Sequence, residues 1–220
     1  MREGIIFDVD GTLLDSMVIW DHAGERYLRR QGMEAESGLG ERLFSMTMEE
    51  GAKYLKESYR LLQSTQEIIA GINEVVFAFY RDEAQAKKGV LEFLQKLREK
   101  EIPMTVATST DRFLIEEAFG RLDMKKYFDR IFTCSEVGAG KNHPQIFYEA
   151  SRFMGTKPED TWVFEDGLYA IKTAKRAGYH TVGIYDASSW KDQESIKKEV
   201  DIYLKDWGEA EKIFEKRYES

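Results

Sequence analysis

Short apolar runs recur along the chain and predict the strands of a buried sheet. The first run, residues 4–7, reads Gly-Ile-Ile-Phe and is followed at once by carboxylates, so we expect a buried strand that ends at Asp8. Later runs of similar character predict further strands at 104–107, 131–133, 161–164, 181–185 and 201–204.

Helical periodicity fills the intervals between these strands. Apolar residues recur at helical spacing over 90–97, 115–122, 146–154 and 170–177, and Gly178 closes the last stripe as a common helix stop. A final helix carries Trp207, Ile213 and Phe214. Regular alternation of strand and helix implies right-handed crossovers and a parallel sheet with helices on both faces. The predicted fold class is therefore α/β, a doubly wound, Rossmann-like parallel sheet.

The stretch 16–83 interrupts this alternation after the first strand. It contains no proline, and Ala52, Leu55, Tyr59 and Leu62 fall on a single helix face. Residues 75–80 are apolar enough for a strand, but we interpret them as a buried helix segment. We expect two parts: a core formed by 1–15 and 84–220, and an inserted helical domain at 16–83.

Composition and charge narrow the class of protein. Apolar residues make up 42% of the 220 positions and charged residues 33%, which is ordinary for a globular protein. The net charge of −8, without a run of Lys and Arg, argues against a nucleic-acid or membrane partner. The one cysteine, Cys134, excludes an internal disulfide and a paired-cysteine metal site. Without an apolar run of signal-peptide or membrane-spanning length, we expect a soluble cytoplasmic protein.

Polar side chains that could carry chemistry follow four of the predicted strands. In open parallel sheets, ligands bind beyond the carboxyl ends of the strands, so these positions face a common edge. The residues in chain order are Asp8 and Asp10, Thr108 and Ser109, Lys141, and Glu165 and Asp166. Their ordered joint occurrence points to one site.

Clustered carboxylates repel one another, so a cation should hold them together. Hard oxygen ligands suit Mg²⁺, whose remaining positions go to water and substrate phosphate. Lys141 and Thr108 can neutralise and bind that phosphate. One carboxylate then stays available for attack on phosphorus, and the other, two residues on, can shuttle a proton.

Simpler interpretations exist for each element taken alone. Asp8-Val-Asp10-Gly could be only a turn and helix cap. A calcium loop is excluded because Thr12 replaces its third acid and Ile19 its closing Glu. A phosphate-binding loop around Lys141 fails because Ser135 replaces its first glycine. The histidines lack metal-ligand spacing.

The motifs together resemble the haloacid dehalogenase superfamily. The first signature is matched by Asp8-Val-Asp10-Gly11-Thr12, the second by Val106-Ala-Thr108-Ser-Thr, the third by Lys141, and the fourth by the segment from Val163 to Gly178. The insert resembles the helical cap of the β-phosphoglucomutase-like subgroup. The chain departs from the usual motifs at Asn142, at Gly167, where Ser or Thr is common, and at Ala170, where Gly is common.

This resemblance implies a role for each matched residue. Asp8 would be the nucleophile that forms an aspartyl-phosphate, and Asp10 the acid/base. Thr108, Ser109 and Lys141 would bind the transferring phosphoryl group. The metal would be held by Asp8, by the backbone carbonyl of Asp10, by Asp166, and by Glu165 beside it.

The expected function is that of a Mg²⁺-dependent phosphatase acting on a small phosphorylated metabolite. Cap residues that could contact this substrate are Trp20, Arg26, Arg42, Phe44 and Lys53. A sugar-phosphate mutase is the alternative, although the mutases of the subgroup carry a His where this chain has Trp20, ten residues after Asp10. A signalling receiver would carry its acceptor Asp on the third strand, and a catalytically inactive binding protein would not need all four motifs.

Overall fold

The computed structural model describes residues 3–44 and 46–218. Its strands are β1 (Gly4–Phe7), β2 (Leu14–Asp15), β3 (Gln85–Ala86), β4 (Met104–Thr108), β5 (Arg130–Thr133), β6 (Thr161–Glu165), β7 (His180–Ile184) and β8 (Ile202–Leu204). Its helices are α1 (Met17–Arg30), α2 (Leu39–Phe44), α3 (Met48–Ser58), α4 (Thr65–Asp82), α5 (Val90–Glu99), α6 (Arg112–Arg121), α7 (Cys134–Val137), α8 (Gln145–Met154), α9 (Leu168–Arg176), α10 (Gln193–Glu199) and α11 (Trp207–Tyr218).

Six of the strands form one parallel sheet in the order β5-β4-β1-β6-β7-β8. The first strand of the chain therefore lies near the centre of the sheet, with β4 on one side and β6 on the other. Ile6 pairs with Thr105 of β4 and with Val163 of β6. The predicted α/β fold class is confirmed, and the strand order places the carboxyl ends of β4, β1 and β6 next to one another.

Both faces of the sheet are covered by helices, which is why its central strands are mostly apolar. On one face, Ile6 and Val163 belong to a cluster with Phe147 and Ala150 of α8. On the other face, Phe164 stacks on Trp207 with ring centroids 5.6 Å apart. Burial on both faces explains why the central strands read as continuous apolar runs rather than as alternating patterns.

A second compact unit, residues 16–84, contains helices α1 to α4. Two of these helices begin at capping boxes. The hydroxyl of the cap residue accepts a hydrogen bond from the backbone N–H of a Glu three positions on, and the side chain of that Glu accepts one from the backbone N–H of the cap residue. The pairs are Thr47 with Glu50 and Ser64 with Glu67. The segment 75–80 lies in α4, as predicted.

The prediction that one helix face extends from Ala52 to Leu62 is wrong at its end. Helix α3 ends at Ser58, and Leu62 is 97% exposed. Arg60 adopts a left-handed conformation with φ of 53°, and the N–H of Leu61 donates to the carbonyl of Lys56. This hydrogen bond around a left-handed residue is a Schellman-type stop, which apolar spacing alone does not reveal.

The remaining compact unit joins the residues up to Asp15 with those from Gln85 onward. Within it, β2 and β3 pair antiparallel, Leu14 with Ala86 and Asp15 with Gln85, at the two points where the chain enters and leaves the helical segment. These two-residue strands were not predicted, because they are too short to carry a period. Among the described residues, no helix has both the length and the apolar character needed to cross a membrane.

Candidate active site

The conformation of the loop after β1 depends on Gly11. Gly11 has a φ of 80°, a left-handed conformation that favours glycine. A Cβ atom at this position would lie 2.4 Å from Oδ2 of Asp166. The N–H groups of Leu13 and Leu14 both donate to the carbonyl of Val9 at 2.8 Å, closing a tight turn. This loop therefore brings the backbone of the first motif against the carboxylate of the fourth.

Three buried carboxylates meet at the carboxyl edge of the sheet. Asp8 follows β1 directly and Glu165 ends β6; because Phe7 pairs with Phe164, the two acids leave neighbouring strands side by side. One carboxylate oxygen from each of Asp8, Glu165 and Asp166 lies within 4.8 Å of the others. All three residues are buried. The predicted convergence of the first and fourth motifs thus occurs.

Lys141 supplies a positive charge to this cluster. It follows α7, is 3% exposed, and donates hydrogen bonds to Asp8 and to Oε1 of Glu165, the second at 2.5 Å. A buried ammonium is stabilised when it is paired on two sides in this way. Lys141 links the third motif to the first and the fourth.

The electrostatics of the cluster are dominated by burial and by repulsion among the acids. Burial, and then the charge of Glu165, raise the pKa of Asp8 to about 8. Burial, and then the charges of Glu165 and Asp8, also raise the pKa of Asp166 well above its usual value. Burial alone would lower the pKa of Lys141, but the charges of Asp8 and Glu165 outweigh it and raise that pKa. Three acids around one ammonium leave an excess of negative charge when all are ionised.

This donor set fits a hard divalent cation. Carboxylate oxygens are the ligands that Mg²⁺ and similar ions prefer, and a bound cation would offset the repulsion among the acids. Thr12, which the sequence did not single out as a site residue, donates from its hydroxyl to Oδ1 of Asp166 at 3.0 Å. That hydrogen bond holds Oδ1 of Asp166 and leaves its Oδ2 for a metal.

The Asp10 carboxylate is not part of the three-acid cluster found among the described residues. Its Oδ2 accepts a hydrogen bond from the Thr110 hydroxyl at 2.6 Å. The N–H of Thr110 in turn donates to the hydroxyl of the buried Thr108 at 3.1 Å. Thr110 therefore connects the first motif to the second, a contact across 100 positions that no local pattern could have indicated.

Ser109 and Tyr169 complete the polar surroundings of the site. The Ser109 hydroxyl lies 3.6 Å from the sulfur of Cys134. Tyr169, in the first turn of α9, has a phenol whose pKa is raised by partial burial and by the charge of Glu165, and this phenol lies near the side chain of Ser109. Sequence reasoning missed Tyr169, because an aromatic residue in the first turn of a helix carries no distinctive signal.

The three basic side chains predicted to contact a substrate from the helical unit are paired within that unit. Arg26 donates two 2.9 Å hydrogen bonds to the carboxylate of Glu83. Arg42 donates to the hydroxyl of Tyr54 at 3.0 Å. Lys53 forms an ion pair at 2.9 Å with an acid one helical turn away.

Of the two aromatic candidates of the helical unit, Trp20 has a described side chain. Trp20 is 37% exposed, and its ring centroid lies 6.4 Å from that of Tyr80. The side chain of Phe44 lies outside the described part of the structure.

Comparison with known proteins gives a consistent assignment. The family described as haloacid dehalogenase-like hydrolase matches residues 5–184. A phosphorylated carbohydrates phosphatase of Thermotoga maritima is 29% identical over 180 residues, which cover 82% of this chain and 83% of that protein. A validoxylamine A 7'-phosphate phosphatase of Streptomyces hygroscopicus subsp. limoneus is 28% identical over 212 residues, 96% of each chain.

The fold comparison agrees. A solved structure from Thermotoga maritima, described as a candidate β-phosphoglucomutase, has a TM-score of 0.82 and 27% identity, covering 93% of this chain and 94% of that one. Because the family match extends from β1 to β7 and includes all the acids of the cluster, the chain belongs to the haloacid dehalogenase-like hydrolases.

Proposed function

We propose that the protein is a Mg²⁺-dependent phosphatase that hydrolyses a small phosphorylated metabolite, a sugar phosphate or a similar compound, through an aspartyl-phosphate on Asp8. The observation that carries the proposal is the buried cluster of Asp8, Glu165 and Asp166 with Lys141 in contact with two of its members. The phosphatase names of the curated relatives support it.

Asp8 is the proposed nucleophile. Its carboxylate oxygen forms a bond to phosphorus while the bond from phosphorus to the substrate's ester oxygen breaks. Mg²⁺, when bound by Asp8, Asp166, Glu165 and the Asp10 carbonyl, would supply positive charge for the phosphate at an acidic site. Lys141 and the hydroxyl of Thr108 bind the phosphoryl oxygens and stabilise the charge that develops on them.

Asp10 is the proposed acid/base. In the first step it gives a proton to the departing ester oxygen, and in the second it takes a proton from the water that attacks phosphorus and releases Asp8. The carboxylate of Asp10 lies outside the three-acid cluster, as suits a group that moves a proton rather than binding the cation through its side chain. The Thr110 hydroxyl holds one oxygen of Asp10 and thereby orients it.

The helical unit at 16–83 is proposed as a cap that sets substrate preference and limits the access of water. The four motifs recognise only the phosphoryl group, which all candidate substrates share, so discrimination has to come from other surfaces. Trp20 is the cap residue that we propose for contact with the substrate, since its ring is partly exposed and suited to an apolar or sugar-ring face.

A sugar-phosphate mutase is the second candidate, favoured by the similarity to the Thermotoga maritima structure described as a candidate β-phosphoglucomutase. A mutase must bind the second, non-transferring phosphate of a bisphosphate and keep its phosphoenzyme from being hydrolysed meanwhile. Within the described cap, Arg26, Arg42 and Lys53 are engaged in ion pairs or hydrogen bonds with cap residues. Trp20 is not a base, because the indole N–H only donates. Because these basic side chains are paired within the cap rather than held for a second phosphate, their contacts favour hydrolysis over the mutase reaction.

Replacing Asp8 with Asn removes the nucleophile in a nearly isosteric way. We expect phosphate release from a screen of sugar, polyol and nucleoside phosphates to require Mg²⁺, and the Asp8→Asn variant to lose about 10³-fold or more of the wild-type rate. The matched control is Asp123→Asn, at a side chain that is 78% exposed in its ion pair with Lys126, and it should retain full activity. Wild-type rates in freshly purified Asp8→Asn would show that the nucleophile is misassigned.

Replacing Asp10 with Asn should separate the two chemical steps. With acetyl phosphate, whose leaving group needs little protonation, phosphoenzyme formation should suffer less than its hydrolysis, for which general acid–base help is worth about 10² to 10⁴ in rate. Rapid quenching followed by intact-protein mass measurement should therefore detect one added phosphoryl group in the variant. Equal slowing of both steps, with no trapped species, would rule out this role for Asp10.

The mutase alternative predicts a different product. Given β-glucose 1-phosphate and a trace of the 1,6-bisphosphate, the protein should release free phosphate as its main product, because the described cap contacts favour hydrolysis. Glucose 6-phosphate and phosphate are followed together in the same reaction. If glucose 6-phosphate appears many times faster than phosphate, the protein is a mutase.

A further inference from the structure

Tyr169 is an exposed aromatic residue beside the catalytic acids. It is the second residue of α9 and follows the Glu165-Asp166 pair by three positions. Its side chain is 51% exposed, whereas Ala170 and Ile171, which follow it in the helix, are fully buried. A large ring kept at the surface next to buried carboxylates is placed where a bound substrate would meet it.

Gly167 makes room for this ring. A Cβ atom at position 167 would lie 3.2 Å from Cε1 of Tyr169 and 3.4 Å from Oε2 of Glu165. The first distance is tighter than ordinary van der Waals contact, so a side chain at position 167 would push the ring outward. Glu165 Oε2 already accepts the N–H groups of Asp166 and Gly167 at 3.0 Å. The ring thus lies over the backbone that presents the acids.

The hydroxyl end of Tyr169 reaches the other side of the nucleophile. Its phenol lies near the side chain of Ser109, which follows β4, whereas Tyr169 itself follows β6. In the sheet, β1 lies between these two strands, so Tyr169 and Ser109 flank the strand that ends at Asp8. The raised pKa of the phenol, caused by partial burial and then by the charge of Glu165, agrees with this position.

We propose that Tyr169 is a specificity-determining residue whose exposed ring forms an apolar wall beside Asp8 and contacts leaving groups that themselves carry a ring. This inference rests on the proposed phosphatase function and deepens it, because it names the class of leaving group. Aromatic side chains bind the faces of planar rings and the C–H faces of sugar rings. The close approach of the ring to Gly167 restricts its orientation, which lowers the entropic cost of forming that contact.

The test compares two phosphate donors that differ in the leaving group. p-Nitrophenyl phosphate carries a planar ring, and acetyl phosphate carries none. Tyr169→Ala should raise KM for p-nitrophenyl phosphate about fivefold, while kcat/KM for acetyl phosphate changes by less than about twofold. Tyr169→Phe keeps the ring and should restore most of the lost affinity. The matched control is Tyr185→Ala, a 43% exposed tyrosine that follows β7, the next strand along the edge, and it should affect both substrates equally.

Two results would exclude the ring contact of Tyr169. If Tyr169→Ala weakens both substrates to the same degree, or if Tyr169→Phe loses as much as Tyr169→Ala, the ring contact is not the determinant and the inference is wrong. If wild-type protein with Mg²⁺ releases phosphate neither from these compounds nor from those of the metabolite screen, the proposed function fails, and this inference with it. If it hydrolyses metabolites of the screen but not p-nitrophenyl phosphate, this inference alone is wrong. Circular dichroism confirms folding, and if Tyr169→Ala unfolds, Tyr169→Leu provides the same comparison with an apolar side chain of intermediate size.

Discussion

The negative charge concentrated in Asp8, Glu165 and Asp166 is the constraint on which the site depends. Carboxylates that are buried and within 4.8 Å of one another repel strongly, and Lys141 compensates only part of their charge. Neighbouring groups donate hydrogen bonds to two of the acids: the Thr12 hydroxyl donates to Asp166, and two backbone N–H groups donate to Glu165. The remaining negative charge would attract a divalent cation, and the cation together with Lys141 would attract the phosphate.

The fold holds these charges together by burying the strands that carry them. A parallel sheet covered on both faces fixes the register of β1 against β6, and that register puts Asp8 beside Glu165. Gly11 then lets the loop after β1 approach Asp166 so closely that a Cβ atom would collide with its carboxylate. The packing of the hydrophobic core therefore offsets the unfavourable free energy of clustering acids at its edge.

Much of this arrangement could be predicted from the sequence, because strands buried on both faces and acids at their carboxyl ends leave a local pattern. Other features leave none. The end of α3 depends on the left-handed conformation of Arg60. The bond from Thr110 to Asp10 and the position of Tyr169 against Ser109 join residues far apart in the chain. Such contacts depend on side-chain placement after folding, and apolar periodicity carries no information about them.

The most direct test of the charge constraint is the pH dependence of stability without and with Mg²⁺. The pKa of Asp8 is raised from 3.8 to about 8 in the folded protein, so the folded state binds the proton more tightly than the unfolded state does, and stability falls as the pH rises between about 4 and 8. In EDTA, urea unfolding should show wild type losing stability relative to Asp8→Asn across this range.

Mg²⁺ should remove that loss, because a bound cation replaces the proton as the compensating charge and binds the folded state selectively. At the upper end of the range, the ion should therefore stabilise wild type much more than Asp8→Asn. If the difference between the two proteins does not change with pH in EDTA, and Mg²⁺ stabilises both equally or neither, the carboxylate cluster is not held together by a cation and the account is contradicted.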